Sequence, residues 1–176
     1  MSIGLFGCQQ SGKEEGLDNE ISKNVANSTT QNMPIDMPSD FDFSIQFGVQ
    51  KKNEINTFER TVTKDLIADG TATTEFILTE EEMKDIYEKM LEINIAEKKE
   101  FTPEPINGTT CMAEPHGEDE WKIIIKGETI RHLFSEEYCE PTNDAKQLIE
   151  LRDYVFNIIK TKSEYKSLPE SKGGYE

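Results

Sequence analysis

The chain has no stretch approaching the roughly eighteen consecutive apolar residues that a membrane-spanning helix requires. It is also poor in histidine and cysteine, the side chains on which many metal sites and much nucleophilic chemistry depend. Its 176 residues include only 2 histidines, 3 cysteines and 1 tryptophan, and no cysteines stand in a Cys-x-x-Cys pair, which argues against redox catalysis. Basic residues are scarce too, 19 Lys and Arg against 35 Asp and Glu, for a formal net charge of −16. A surface of that sign repels phosphate backbones and anionic headgroups. It therefore argues against nucleic acid as a partner and against electrostatic attachment to a lipid surface. Apolar residues make up 35%, so the core is modest and part of the chain builds none. No internal repeat is evident.

What is present is a run of strand and helix signals from Phe41 onward. Phe41, Phe43, Ile45, Phe47 and Val49 alternate with Asp42, Ser44, Gln46 and Gly48, the period of a strand with one buried face. Lys51-Lys52-Asn53 is a turn. A second strand is expected from Glu54 to about Lys64, rich in β-branched residues but weaker in alternation. Asp69-Gly70 turns the chain into a third strand, Thr71–Leu78. Thr79 then caps a helix with Glu82 as its capping-box partner, and Met83, Ile86, Tyr87, Met90 and Leu91 form its apolar stripe. Glu80, Glu81 and Glu82 fit the positive end of a helix dipole better than a metal site.

After a Pro- and Gly-containing connection, Trp121–Lys126 and Thr129–Phe134 read as a hairpin. With Gly127 first in a two-residue type II′ turn, Lys126 pairs with Thr129, Trp121 faces Phe134, Ile123 faces His132 and Ile125 faces Ile130. Trp121, Ile123, Ile125, Ile130, His132 and Phe134 then share the inward face. Lys122, Ile124, Lys126, Thr129, Arg131 and Leu133 share the outward one. Pro141–Asp144 opens a last helix with the stripe Leu148, Leu151, Val155, Ile158 and Ile159, running to about Lys162. The expected fold is α+β, in the order β-β-β-α-β-β-α. An antiparallel sheet of about five strands carries two amphipathic helices on one face. The domain spans 41–168, and Pro169 and two glycines release residues 169–176 as a flexible tail.

Before the domain, residues 1–8 are apolar or small and end at Cys8. Residues 9–40 are polar and without period, a disordered tether with a typical reach of roughly 30 Å. Leu5-Phe6-Gly7-Cys8 resembles the lipobox that ends a bacterial lipoprotein signal peptide. With the polar tether and the domain pattern, the chain resembles small uncharacterised lipoproteins of Bacillus-like bacteria. The resemblance implies lipidation of Cys8, attachment to the cell membrane through that lipid, an extracytoplasmic domain and no known activity. It also requires a basic and apolar segment upstream of Met1.

Cys111 and Cys139 flank the hairpin. In an oxidising compartment they are expected to pair, closing a loop of about 29 residues worth about 3.5 kcal/mol. In the cytosol they would be free thiols. His132 on the inward face reads as a core residue, and the segment His116–Glu120 as a solvated loop that lacks the ligand patterns of zinc or calcium sites. No metal and no cofactor is called for.

Three functions remain open. The first is a lipid-anchored binding or accessory protein of the cell envelope, with no catalytic residues. The second is a cytosolic interaction protein with free thiols. The third is an envelope enzyme using His132 or His116. Tyr138, Tyr165 and Tyr175 are the exposed aromatic candidates for recognition.

Overall fold

The computed structural model describes residues 33–176. Cys8, the lipobox-like segment and most of the expected tether lie outside them. The fold is α+β. Four strands, β1 (Asp42–Phe47), β2 (Asn53–Asn56), β3 (Thr61–Ile67) and β4 (Gly70–Glu75), precede helix α1 (Glu80–Glu92). Strands β5 (Glu118–Ile125) and β6 (Glu128–Ser135) follow, then α2 (Asn143–Thr161) and a single turn, α3 (Ser163–Lys166). All strand pairs are antiparallel, in the order β4-β3-β2-β1-β5-β6.

The sheet has six strands because the expected second strand is two. The chain reverses between Asn56 and Thr61, with Arg60 at a φ of 57°. The reversal is tied to β1: the Thr57 hydroxyl accepts from the Phe43 amide (2.8 Å) and donates to Asp42 Oδ1 (2.8 Å). Neither Gly nor Pro marks this turn, so tertiary hydrogen bonds supply what local residue preference does not.

The hairpin register also differs. Ile125 pairs with Glu128, Ile123 with Ile130, Trp121 with His132 and Asp119 with Phe134. The central turn residues are Lys126 and Gly127, both at positive φ (50° and 75°), a type I′ turn rather than II′. The Asp40 carboxylate accepts from both turn amides, at 3.1 and 2.6 Å. The pairing has slipped by two residues. An even slip leaves every side chain on its expected face.

One face of the sheet is covered by α1 and α2. Phe43, Ile45, Ile55, Val62, Trp121 and Ile123 are buried there against Ile86, Met90, Leu148, Val155 and Ile159. α1 begins as expected. Thr79 Oγ1 accepts from the Glu82 amide (3.2 Å), and Glu82 Oε2 accepts from the Thr79 amide (2.7 Å). Glu82 also binds Lys162 at 2.6 Å, joining the start of α1 to the end of α2. Burial by itself would raise the Glu82 pKa, but Lys162 and the Thr79 amide outweigh it and hold the carboxylate below its usual range.

The packed region extends beyond 41–168 at both ends. Met33 is buried in the core, Met37 packs against it, and the Tyr87 hydroxyl donates to the Pro34 carbonyl at 2.7 Å. Residues 169–176, expected to leave the domain, return to the end of β3. Lys172 exchanges backbone hydrogen bonds with Leu66 and Ala68, and the Tyr175 hydroxyl donates to Asp65 Oδ2 at 2.6 Å. Among the described residues no helix is long and apolar enough to cross a membrane.

Candidate functional site

Cys111 and Cys139 form a disulfide, with Cα atoms 5.4 Å apart. Their meeting follows from the hairpin. Beyond β5 and β6 the two chains stay paired through Glu136 N–H to Gly117 O (2.9 Å), Ala113 N–H to Glu137 O (2.7 Å) and Cys139 N–H to Cys111 O (3.1 Å). Both cysteines are exposed.

The two histidines lie far from any shared site. His132 is buried among the core side chains, and its Nε2–H donates to the Ile95 carbonyl at 2.6 Å. Phe101 stands edge-on to its ring. Burial holds its pKa below the ordinary value, with the Ile95 bond opposing. His116 sits in the loop before β5, with Nδ1 3.3 Å from the Ala113 carbonyl and 3.2 Å from Glu114. Tyr138, Tyr165 and Tyr175 are all partly buried, and Tyr165 packs edge-on against Phe156. Among the described residues no group of three or more His, Cys, Asp or Glu side chains is placed to hold a metal ion.

Two polar groupings do stand out, one on each face of β5. On the covered face Asp119 is fully buried. Its Oδ1 accepts from Arg152 Nη1 at 2.8 Å, and Glu136 accepts from the same nitrogen. The Arg152 guanidinium lies 5.7 Å from the Phe47 ring centroid. Burial pushes the Asp119 carboxyl up to about 7 even though Arg152 opposes it, and the charge of Glu136 adds to the rise. Burial works against the charge of Arg152, but Asp119 and Glu136 outweigh it and hold the guanidinium more firmly protonated than usual, with Asp153 as a third partner at 3.2 Å. The group is enclosed by α2 and joins that helix to β5.

The other face is open, and strand register arranges it in rows. Thr61, Asn56, Ser44, Lys122 and Arg131 form one row across five strands. Thr63, Glu54, Gln46, Glu120 and Leu133 form the next. A cleft of about 260 Å³ lies over them, closed on one side by Phe58 and Glu59 of the β2–β3 turn. Asn56 holds that side in place. Its Nδ2 donates to Glu54 Oε1 (3.2 Å) and its Oδ1 accepts from the Glu59 amide (3.1 Å).

Charge in the cleft is divided. Glu120 is bonded to Lys51 at 2.7 Å, which holds the carboxylate below and the ammonium above their ordinary pKa values. Arg131 Nη1 is 3.9 Å from Glu120. Lys122 has no carboxylate within 4.0 Å among the described residues, and its ammonium lies 4.7 Å from the Phe58 ring centroid. Lys122 and Arg131 stand directly opposite one another on β5 and β6. A like-charge pair in that position is unfavourable to the sheet.

Sequence reading placed Lys122 and Arg131 outward but did not make them neighbours, because the type II′ register sets Lys122 against Leu133. It also missed Glu54, Asn56 and Phe58, which lay within a single expected strand. The signal available was the two-residue choice at Lys126-Gly127-Glu128. A scan against protein-family models finds no match for this chain, and a search of the curated proteins finds no relative.

Proposed function

We propose that the chain is a binding or accessory protein of the bacterial cell envelope. A lipid on Cys8 attaches it to the outer face of the cell membrane, and the open face of its sheet meets a ligand. The observation that carries the reading is the Cys111–Cys139 disulfide. Such bonds persist in oxidising compartments outside the cytosol, the setting that lipidation of Cys8 also requires. The division of the sheet supports binding. The core occupies one face, while the other presents a cleft of hydroxyl, amide and charged side chains to solvent. His132 and His116 do not reach that cleft.

The intact mass of the protein taken from its native host, before and after reduction and alkylation, tests the reading. The expected result is a lipid-sized mass addition at an amino-terminal Cys8 and two thiols that react only after reduction. Three thiols reactive without reduction, and no lipid, would overturn both the anchor and the compartment.

A further inference from the structure

We infer that the open-face cleft takes a small dipolar ligand, an α-amino acid or short peptide with free amino and carboxylate ends. Lys122 and Arg131 hold the carboxylate, while Glu54 and Glu59 receive the ammonium group. The inference rests on the reading of the open face as the recognition surface and specifies its chemistry.

The first ground is an arrangement that serves the fold poorly. In a chain with 35 acids and 19 bases, two cations are set opposite each other at Lys122 and Arg131. The acid next in register, Glu120, is bonded to Lys51 at 2.7 Å and lies 3.9 Å from Arg131, which leaves Lys122 with no carboxylate within 4.0 Å among the described residues. An entering carboxylate supplies the missing anion, and the planar fork of Arg131 suits two-oxygen recognition.

The second ground lies across the cleft. Among the described residues neither Glu54 nor Glu59 has a cation within 4.0 Å, and Asn56, only 9% exposed, bonds the Glu54 carboxylate and the Glu59 backbone amide. Between the two charged walls the floor is Ser44 and Gln46, neutral groups that can meet a peptide amide. β2 and β5 are two strand spacings apart, roughly 10 Å between backbones. Side chains rising from the two strands therefore stand apart on the scale of an extended dipeptide, roughly 7 Å long. A purely anionic ligand would leave Glu54 and Glu59 facing it as repulsive charges. A purely cationic one would do the same at Lys122 and Arg131.

Amide chemical-shift titration of the full chain with alanyl-alanine, its N-acetyl form and its carboxamide form tests this. Alanyl-alanine is expected to bind in the millimolar range, as suits about eleven non-hydrogen atoms, and to shift the amides of Ser44, Asn56, Lys122 and Arg131. Each blocked peptide is expected to bind about tenfold more weakly. Lys122→Gln should reduce the preference for the free peptide over its carboxamide, and Glu54→Gln the preference over the N-acetyl form. Both changes are at solvent-facing positions, and unchanged shifts in the core confirm the fold. Equal binding of a blocked and the free peptide would overturn the dipolar assignment, as would shifts confined to another surface or no shift at tens of millimolar. Such a failure leaves the lipid and disulfide masses untouched, so the two readings fall separately.

Discussion

The covered and open faces of the sheet are made from alternate residues of the same strands, yet they handle charge in opposite ways. On the covered face the fully buried carboxylate of Asp119 is held by Arg152, which also binds Glu136. Three residues along the same strand, on the open face, Lys122 stands opposite Arg131 with the Phe58 ring beside it and no carboxylate within 4.0 Å among the described residues. Enclosed charge must be matched, because leaving one partner bare in a dry interior is costly. Charge facing water tolerates a mismatch of a few tenths of a kcal/mol. The covered face is constrained by folding, whereas the open face has room for a recognition pattern that folding does not ask for.

The contrast breaks first at Arg152. Well above pH 7, where Asp119 is ionised, Arg152→Ala strands its charge and should cost about 3–5 kcal/mol in urea unfolding. A loss below 1 kcal/mol would mean that Asp119 is neutral or solvated and that the covered face is not the strict one. The disulfide comes next. Cys111→Ser with Cys139→Ser should lower stability by about 3.5 kcal/mol in the same measurement, while leaving the open-face amides in place by chemical shift.

A sharper probe of the enclosed group is pH. Asp119 has a folded-state pKa of about 7 against an ordinary value near 3.8. Between those values the folded chain keeps a proton that the unfolded chain has lost. The stability of the wild type relative to Asp119→Asn should therefore rise as pH falls from above 7 towards 4. His132 titrates in the opposite sense, its neutral form favouring the fold above the ordinary histidine range, but it is present in both proteins and cancels in the difference. A difference that falls on acidification would place a stable ionised carboxylate at Asp119. The smallest effect belongs to the open face. Lys122→Glu replaces a like-charge pair with an attractive one and should raise stability by a few tenths of a kcal/mol, read as a small rise in Tm.

Much of the covered face was legible in the sequence because it obeys periodicity. Alternation in β1 and β5, the Thr79–Glu82 capping box and the stripes of α1 and α2 all emerge as expected. His132 lies in the core, as its place on the inward face implied. The open face was legible only in part. Which residues point outward follows from parity, and parity survives an error of two. Which outward residues stand opposite each other follows from register, and register was set by Asp40, 86 residues before the Lys126 amide it binds. The β2–β3 turn was hidden for the same reason. Beside the local Asn56–Glu59 bond it is held by Asp42 and Phe43, which lie far off in sequence. Long-range hydrogen bonds thus decided both features on which the cleft depends.

Urea unfolding of a combined Glu54→Gln, Lys122→Gln, Arg131→Gln protein tests most directly whether recognition and folding are separated onto the two faces. A stability within about 1 kcal/mol of the wild type and an unchanged m-value are expected, since all three side chains meet solvent and Gln at 54 keeps the oxygen to which Asn56 donates. A loss of 3 kcal/mol or more would show that these charges hold the fold together and would contradict the separation.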